Sequence, residues 1–579
     1  MSILAVFWHA IKLDISTICY ILAFPVVWII IQSFFHKSWM NKVILIYTSV
    51  VIFVYTVITT AEIGVFNDWQ TKLSSKAVKY LSNPGEVYGS VSTSVFILLV
   101  SVLLVQSSAG VLIFRKWFWY KIKQKETKII YSVLFFLLSP VFLMIGLRGG
   151  VQAIPITQSE SYFSKHNFLN LAAVNSGWNM ISSLHQNYYS LSRNPYVYFT
   201  NAEADKMVEA IHSLKKDTTI EVLTTTHPNI VMLILEGWSA SLIESLGGKK
   251  GITPCFHYLE KRGLLFKNIY SNGLRSEEGM AAIFGGFPST PLAQIARQPD
   301  KFTKLPSLTR KLIEDGYYTS YYFGGQLIYG NLKGYIYSNN FDRIKEGYMF
   351  DSDLPRGKLG VHDEFIYPEI INDLRKDKTP FFSAYFTLST HTPYDIPNFR
   401  ENIQWPELEK DYVNAAYYAD SCIGNFIAIA EKQVWYKNTL FVLIADHSHT
   451  SYRPMDAFNP DFNRIPLLFF GDVLKDEFKG KTIDKIGSQN DISATLLHQL
   501  KINSDQFTWS KDLLNPYAKG YAYYVYDVGF GWVCPDGYFV WDHTLNKLLE
   551  TTLPSQKQDS IIKSGKAYLQ EVYQQYYDF

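Results

Sequence analysis

Four long stretches near the start of the chain contain no Asp, Glu, Lys or Arg, and they constrain the fold more than any other feature of the sequence. They span residues 15–35, 43–61, 94–114 and 129–147. Each is long enough to cross a hydrocarbon core of about 30 Å as a helix. The sequence therefore predicts a bundle of about four transmembrane helices over residues 1–148. It excludes a wholly soluble enzyme.

The first 14 residues fit a membrane span poorly because they contain Lys12 and Asp14. They also lack the cleavage pattern of a removable signal peptide. A fifth helix and an interfacial segment are both open interpretations of this stretch.

A basic loop sets the expected orientation of the bundle. Residues 115–128 carry Arg115 and five lysines against Glu126 alone, and the positive-inside rule places such a loop in the cytoplasm. The fourth span then runs outward, so everything after Gly149 lies on the outer face of the membrane. We expect a multi-pass membrane protein with a large outer part.

Composition narrows the class further. A chain of 579 residues exceeds the length of one ordinary domain. A formal net charge of +2 gives no overall attraction to nucleic acid, so no nucleic-acid partner is expected. The four cysteines, Cys19, Cys255, Cys422 and Cys534, form no CxxC pair. They predict neither a disulfide framework nor a cysteine metal site.

The outer part divides into a connector and a large second domain. Residues 149–228 are polar and predict a juxtamembrane connector with a helical pattern over 201–216. Residues 229–579 alternate apolar β-type runs with helical segments, which is typical of an α/β domain with a mostly parallel central sheet. The predicted strands are 229–235, 264–270, 317–323, 380–388, 438–445 and 465–470, and the predicted helices include 307–314 and 412–431.

The end of the chain has a different character. From about residue 519 the sequence is strand-like and aromatic, which predicts a C-terminal β-rich subdomain. An amphipathic helix is expected from about residue 555.

Two predicted strands end on carboxylates. Glu236 follows the run 229–235, and Asp446 follows the run 438–445 with His447 directly after it. Ligands of open α/β sheets bind beyond the carboxyl ends of the strands. Carboxylate and imidazole ligands suit a divalent cation such as manganese or zinc. Taken singly, each residue is more often solvated or capping the next helix.

Two further residues carry candidate chemistry. Ser276 stands at the apparent start of a short helix, where serine is a favoured N-cap residue. The same position aims a hydroxyl at the positive end of a helix dipole, which also attracts phosphate. His391 follows the run 380–388, where an imidazole can donate a hydrogen bond to a phosphoryl oxygen or protonate a leaving group. A lone histidine there is more often structural.

The motifs occur together and in one order along the chain. They are PNIVMLILEGWSAS, TPCFHYLEKRGLLFKNIYSNG, RSEEG, YYFGG, LSTHTPYD and ADHSHT. Taken together they resemble the membrane-anchored lipoteichoic acid synthase and phosphoglycerol transferase branch of the alkaline phosphatase and sulfatase superfamily. The resemblance covers the membrane helices and residues 229 to about 501.

The resemblance implies a site and a reaction. Glu236, Ser276, Asp446 and His447 would hold one divalent cation, manganese first and zinc or magnesium as alternatives. Ser276 would be the catalytic nucleophile, and His391 would contact the substrate phosphate. The implied enzyme is a metal-dependent phosphotransferase that moves a phosphoglycerol-type head group from a phospholipid to a glycan or glycolipid hydroxyl through a phospho-serine intermediate. Its implied location is the bacterial cytoplasmic membrane, with the catalytic domain outside.

The sequence departs from that family at two places. Ser276 stands where the family commonly has threonine, which keeps a hydroxyl that a metal can bind. The segment 321–334 lacks the His, Trp and Arg with which lipoteichoic acid synthases hold glycerol phosphate. Gly324, Gly325 and Asn331 lie there instead, so the identity of the head group stays open.

Three rival functions are compatible with the sequence. A phosphoethanolamine transferase would share the sheet, the hydroxyl nucleophile and the anchor, but such enzymes usually carry disulfides and more metal-binding histidines. A sulfatase is disfavoured because the C/S-x-P-x-R motif of the formylglycine type is absent from the sequence, whereas a phosphatase-like hydrolase stays an alternative. A membrane scaffold or sensor with an inactive fold is the alternative outside the enzymes. His449 is read as an exposed loop histidine rather than an additional ligand.

Overall fold

The chain forms two compact units, Met1–Arg193 and Asn194–Phe579. The computed structural model describes residues 2–35, 37, 39–69, 72–74, 93–117, 128–152, 155–186, 193–291, 293–328, 331–397, 409–451 and 455–579. Most of the basic loop on which the predicted orientation depends, residues 118–127, lies outside the described residues.

The first unit is built on four apolar helices. They are α1 (Ser2–Phe35), α2 (Trp39–Trp69), α3 (Thr93–Trp117) and α4 (Ile129–Leu147). All four are long and apolar enough to cross a membrane, as the uncharged stretches predict. Residues 2–14 continue directly into α1. A separate fifth helix in this stretch is therefore wrong, and α1 is longer than a single span requires.

Polar contacts join neighbouring helices of this unit. The Ser16 hydroxyl on α1 donates to the Leu147 carbonyl at the end of α4, over 2.9 Å. Thr56 on α2 and Ser107 on α3 share a hydrogen bond of 2.7 Å between their hydroxyl oxygens. Small hydroxyl residues of this kind let helices approach closely in a membrane. The start of the apolar part of α1 thus lies beside the end of α4, so these two helices run antiparallel.

The two charged residues near the start of α1 are paired with the segment that follows α4. The Lys12 ammonium lies 3.1 Å from a carboxylate oxygen of Glu160, and the Asn175 amide donates to Asp14 over 2.7 Å. This segment contains a short 3-10 helix (Gln158–Ser161), α5 (Asn167–Ala173) and α6 (Ser176–Gln186). The division at 193/194 therefore falls inside the stretch 149–228 that the sequence presents as one connector.

The second unit opens with the rest of that stretch. Helix α7 (Asn201–His212) follows the helical pattern expected over 201–216. It packs on the C-terminal helix of the unit, α16 (Ser555–Asp578). Asn194 donates from its amide to the Gln570 carbonyl over 3.0 Å, which fixes the entering chain to the same helix.

An eight-stranded sheet forms the core of the second unit. Its order is β4-β3-β5-β1-β6-β7-β2-β8, and only β7 runs against the others. The strands are β1 (Asn229–Leu235), β2 (Gly263–Tyr270), β3 (Tyr318–Phe323), β4 (Arg343–Glu346), β5 (Phe381–Phe386), β6 (Thr439–Ala445), β7 (Arg464–Phe470) and β8 (Lys481–Ser488). The mostly parallel α/β fold expected from the sequence is confirmed.

Helices cover both faces of this sheet, as a parallel sheet requires. They are α8 (Pro254–Glu260), α9 (Ser276–Gly285), α10 (Pro299–Phe302), α11 (Leu308–Glu314), α12 (Leu332–Ser338), α13 (Asp363–Leu374), α14 (Lys410–Ala430) and α15 (Ile492–Leu500). A second, antiparallel sheet has the order β12-β11-β10-β9. Its strands are β9 (Ala522–Tyr526), β10 (Gly529–Cys534), β11 (Gly537–Asp542) and β12 (Lys547–Thr551), with α16 after them.

A buried ion pair joins α12 to the edge of the main sheet. The Lys333 ammonium lies 3.0 Å from Glu346, and the side chains are 6% and 0% exposed. The other oxygen of Glu346 accepts a hydrogen bond from the Leu327 amide over 2.8 Å. Removing one member of such a pair leaves an uncompensated charge in the interior.

We expect Lys333→Met to lower the free energy of unfolding by about 3 to 5 kcal/mol. The double variant Lys333→Met/Glu346→Gln should recover much of this loss, because glutamine is neutral and keeps an acceptor for the Leu327 amide. Urea unfolding of the detergent-solubilised chain measures both. Lys311→Met is the control, because its 2.9 Å pair with Glu314 lies at the surface and should contribute under about 1 kcal/mol. Equal losses for Lys333→Met and Lys311→Met would contradict the expectation.

Candidate functional site

The pairing of β1 with β6 brings two carboxylates side by side. These neighbouring parallel strands are in register, with Leu235 opposite Ala445 at their carboxyl ends. Glu236 and Asp446 are the next residue of each strand. The Gly237 amide donates to Asp446 Oδ1 over 2.8 Å, and the His447 amide donates to the same oxygen over 2.9 Å. The Asp446 carboxylate thus holds together the two segments that follow β1 and β6.

His447 completes a compact group of three possible metal ligands. Its Nε2 lies 3.6 Å from Glu236 Oε1 and 3.4 Å from Asp446 Oδ2. One ligand atom from each residue lies within 4.8 Å of the others. The Nδ1 atom of His447 is 2.8 Å from the Ser448 carbonyl, so Nδ1 carries the hydrogen and Nε2 faces the carboxylates. A hydrogen-bonded second nitrogen of this kind orients a histidine that binds a metal.

Ser276 reaches the same group from helix α9. It is the first residue of the helix, and its hydroxyl lies 3.4 Å from Glu236 Oε2 as a donor. The expectation that Ser276 serves as N-cap is wrong, because Arg275 occupies that position. The Glu278 carboxylate accepts the amides of Leu274 and Arg275, over 2.8 and 3.1 Å. The Ser276 hydroxyl therefore points at the cluster instead of satisfying the helix end.

The charges of the cluster are strongly coupled. Burial, and then the neighbouring charge of Glu236, raises the pKa of Asp446 to about 7. Burial alone would lower the pKa of His447, but the carboxylates of Asp446 and Glu236 raise it to about 10. Two buried carboxylates beside one another thus require positive charge between them.

The cluster fits a divalent cation by its chemistry. Two carboxylates, an imidazole nitrogen and a hydroxyl form a hard oxygen and nitrogen donor set of the kind that manganese or zinc binds. Within the described part of the chain, Asp446 Oδ2 accepts no hydrogen bond although it is buried. A buried carboxylate oxygen without a hydrogen bond is costly. Its contact with His447 Nε2, at 3.4 Å, is an ionic one, and a bound cation would satisfy that oxygen.

His391 lies beside this cluster on the loop after β5. Its amide donates to the Leu388 carbonyl over 3.0 Å, and its Nδ1 is 2.7 Å from the Thr392 carbonyl. Its charge lowers the pKa of Glu236, against the effect of burial and together with His447. The structure therefore brings all five residues singled out in the sequence to one region.

His449 is not an exposed loop residue, which corrects the expectation. Its side chain is half-buried, its Nε2 is 3.2 Å from the Tyr394 hydroxyl, and its ring lies 4.5 Å from that of Tyr412. His449 therefore packs with Tyr394 and Tyr412.

Several residues that hold the site in place were not predicted. Thr387 accepts the Glu236 amide over 2.9 Å, and Gln489 donates to the carbonyl of Asp446 over 2.7 Å. Asp363, at the start of α13, accepts the amides of Leu388 and Ser389 over 2.9 and 3.1 Å. Asp363 thereby fixes the loop that carries His391. An acidic residue in the first turn of a helix is the only signal that the sequence offers for it.

The glycines in the divergent segment have a packing role. The Gly324 carbonyl accepts the Val361 amide over 3.0 Å, and the Gly325 carbonyl accepts the Gly347 amide over 2.8 Å. A Cβ atom on Gly360 would lie 2.1 Å from the Gly324 carbonyl oxygen. Asn331 donates from its amide to the Arg297 carbonyl over 3.3 Å. A Cβ atom on Gly324 would lie 2.4 Å from the Val361 carbonyl oxygen, and one on Gly325 would lie 2.8 Å from the Phe323 ring, so packing alone accounts for both glycines.

Comparison with known proteins agrees with this architecture. The sulfatase family model matches residues 228–502, so this part of the chain is a sulfatase-family domain. A protein of the alkaline phosphatase superfamily from Vibrio parahaemolyticus is 27% identical, with a TM-score of 0.56 over 66% of this chain and 97% of that one. The fold and the family match thus define an α/β domain of the alkaline phosphatase and sulfatase type over residues 228–502.

Relatives within this superfamily are more specific. The lipoteichoic acid synthase-like protein YvgJ from Bacillus subtilis (strain 168) is 22% identical over 311 residues, which are 50% of this chain and 50% of YvgJ. The lipoteichoic acid synthase LtaP from Listeria monocytogenes has the same fold, with a TM-score of 0.53 and 18% identity over 65% of this chain and 98% of that one. The chain spans about half the length of the curated relatives it matches. The resemblance to the lipoteichoic acid synthase branch is confirmed.

Close packing of α9 against the strand end suggests a test of how the cluster is held. A Cβ atom on Gly279 would lie 2.1 Å from the Asp446 carbonyl oxygen. We expect Gly279→Ala to destabilise the fold by about 1 to 3 kcal/mol or more and to weaken manganese binding, because α9 and Asp446 must separate. Thermal unfolding and calorimetric metal titration measure the two effects.

Gly285→Ala is the matched control, because a methyl group there first meets the Tyr335 hydroxyl at 3.0 Å, which is a side-chain atom. It should cost less stability and leave metal affinity near that of the wild type. If both variants bind manganese equally well, α9 does not position the cluster.

Proposed function

We propose that the chain is a membrane-anchored, metal-dependent transferase that moves a phosphoglycerol-type head group from a phospholipid to an acceptor hydroxyl. The observation that carries this proposal is the approach of the Ser276 hydroxyl to Glu236 in the cluster with Asp446 and His447. A nucleophile beside a metal-binding group is the arrangement that phosphoryl transfer through a covalent intermediate needs. The likeness to lipoteichoic acid synthases supports the choice of head group.

Glu236, Asp446, His447 and the Ser276 oxygen would hold the cation, with manganese as the first candidate. When bound there, such an ion supplies positive charge that favours the serine alkoxide and neutralises phosphoryl oxygens. The orientation of His447 supports this role, because the hydrogen bond from its Nδ1 to the Ser448 carbonyl turns Nε2 towards the carboxylates.

Ser276, Glu236 and His391 have separate roles in the proposed reaction. Ser276 Oγ attacks the phosphorus in line, its bond to the head-group phosphate forms, and the bond from phosphorus to the diacylglycerol oxygen breaks. Glu236 Oε2, which accepts the hydrogen bond of the Ser276 hydroxyl, takes its proton, and His391 gives a proton to the diacylglycerol oxygen as it leaves. An acceptor hydroxyl of a glycan or glycolipid then attacks the phospho-serine and gives its proton to His391. The bond from phosphorus to Ser276 Oγ breaks, and Ser276 takes its proton back from Glu236.

Location follows from the donor. A phospholipid is confined to the bilayer, so an anchored active site meets it at high effective concentration. We propose that α1 to α4 cross the bacterial cytoplasmic membrane and that the catalytic unit lies on its outer side. The four apolar helices and the basic loop 115–128 support this arrangement.

Phosphoethanolamine transfer has weaker support. All four cysteines are free thiols, whereas the transferases of that class usually carry disulfides. We therefore retain the phosphoglycerol-type head group.

Substitutions at Ser276 test the covalent mechanism. Ser276→Ala should lower transfer of labelled head group from phosphatidylglycerol by roughly 10⁴-fold or more, because the nucleophile is lost. Ser276→Thr should keep activity within about tenfold, because its hydroxyl can take the same place. Mass spectrometry after brief exposure to donor lipid should find the phosphoglycerol mass on Ser276 in the wild type.

Ser320→Ala is the control, because this buried hydroxyl on β3 has no hydrogen-bond partner among the described residues and lies outside the cluster. Full transfer by Ser276→Ala would end the covalent proposal.

A further inference from the structure

A small, partly open cleft lies beside His391. Its polar lining comes from two loops, the turn 357–360 with the residues that follow it, and the loop 388–395 after β5. The polar side chains that line it are Lys358, His362, Ser389, His391 and Asp395. We call this cleft the His362 pocket. None of the described residues of the divergent segment 321–334 lines it.

The walls of the His362 pocket are held in place by hydrogen bonds. The Gly357 amide donates to the Gly360 carbonyl over 2.8 Å, which closes the turn. The Lys358 amide donates to Asp395 Oδ2 over 2.8 Å and joins the two loops. Asp363 fixes the amide of Ser389 on the other wall. The pocket is therefore preformed, which lowers the entropic cost of binding a ligand.

Two buried polar side chains line the pocket. Ser389 is 5% exposed and His362 is 9% exposed. The Ser389 hydroxyl makes no hydrogen bond to any described residue. Burying a polar group without a partner costs free energy. A ligand with hydroxyl groups would supply the partner that Ser389 lacks.

His391 connects the pocket with the cluster. It lines the pocket, and the hydroxyl of its neighbour Thr390 donates to the Glu236 carbonyl over 2.5 Å. A phosphate at the cluster therefore has the group esterified to it within reach of the pocket.

The chemistry of the lining selects a neutral ligand. Lys358 and Asp395 carry opposite charges, and the buried members, Ser389 and His362, offer hydroxyl and imidazole groups. Because these two charges oppose each other, the lining as a whole favours neither an anion nor a cationic amine. A neutral polyol can accept a hydrogen bond from Lys358, donate one to Asp395, and bond to the Ser389 hydroxyl and the His362 imidazole. Gly324 and Gly325 offer no side chain for this task, so recognition falls to the neighbouring loops.

We propose that the His362 pocket binds the glycerol, or a similarly small polyol, of the transferred head group, with Ser389 and His362 as its hydrogen-bond partners. The phosphate of the same head group lies at His391 and the cluster. This assignment rests on the proposed function for the place of the phosphate, and it names residues that give the site its head-group specificity.

Binding without turnover tests the assignment. Calorimetric titration of the detergent-solubilised full chain, at a fixed saturating manganese concentration, compares glycerol 1-phosphate, phosphoethanolamine and inorganic phosphate. The wild type should bind glycerol 1-phosphate about tenfold more tightly than either of the others. Ser389→Ala and His362→Leu should each weaken glycerol 1-phosphate by about threefold to tenfold and leave inorganic phosphate unchanged, since each removes one hydrogen bond to the glycerol.

Ser383→Ala is the matched control, because Ser383 on β5 is a buried serine whose hydroxyl also lacks a partner among the described residues but lies outside the pocket. It should bind all three probes as the wild type does. Circular dichroism melting of each variant reports whether it is folded.

The assignment is overturned if the wild type shows no preference for glycerol 1-phosphate or prefers phosphoethanolamine. It is also overturned if the Ser389→Ala and His362→Leu variants keep the wild-type preference, or if they weaken the binding of inorganic phosphate as much as that of glycerol 1-phosphate. The proposed function fails separately. If the wild type shows the preference but transfers no head group, the pocket assignment stands and the transferase proposal does not.

Discussion

The in-register pairing of β1 with β6 is the interaction on which the site depends. It puts Glu236 and Asp446 next to each other at the carboxyl edge of the sheet, where side chains leave a buried strand and reach a cleft. A shift by one residue would turn one of the two carboxylates to the opposite face. The backbone amides of Gly237 and His447 both donate hydrogen bonds to Asp446 Oδ1. The strand register and the position of this carboxylate therefore stabilise each other.

Electrostatics make the cluster suited to a cation. The two buried carboxylates favour positive charge strongly enough to raise the pKa of His447 to about 10, and a divalent cation would supply the same positive charge in place of that proton. The hydrogen bond from Nδ1 to the Ser448 carbonyl directs Nε2 at the carboxylates. The helix that carries Ser276 is capped by Glu278, which leaves the Ser276 hydroxyl available to the cluster. Each functional group is thus held by another residue that carries out no chemistry itself.

The sequence predicts the parts of this architecture that hydrophobic pattern encodes. The buried strands from β1 to β7 appear as apolar runs, except β4, and Glu236 and Asp446 stand out because they end two of those runs. The edge strands β4 and β8 are missed because their sequences, RIKE and KTIDKIGS, are largely polar, as edge strands often are. Asp363, Thr387 and Gln489 are missed for another reason: their roles come from contacts far apart along the chain. The N-cap role expected of Ser276 fails because propensity cannot tell that Glu278 caps the helix.

The account depends on one cation at the meeting point of three elements of the fold. Anomalous X-ray diffraction at the manganese edge, from crystals of the protein grown with manganese, tests this most directly. We expect a single strong anomalous peak within bonding distance of side-chain atoms of Glu236, Asp446 and His447 and of the Ser276 oxygen. A peak elsewhere, or none at saturating manganese with His447 paired directly to the carboxylates, would contradict it.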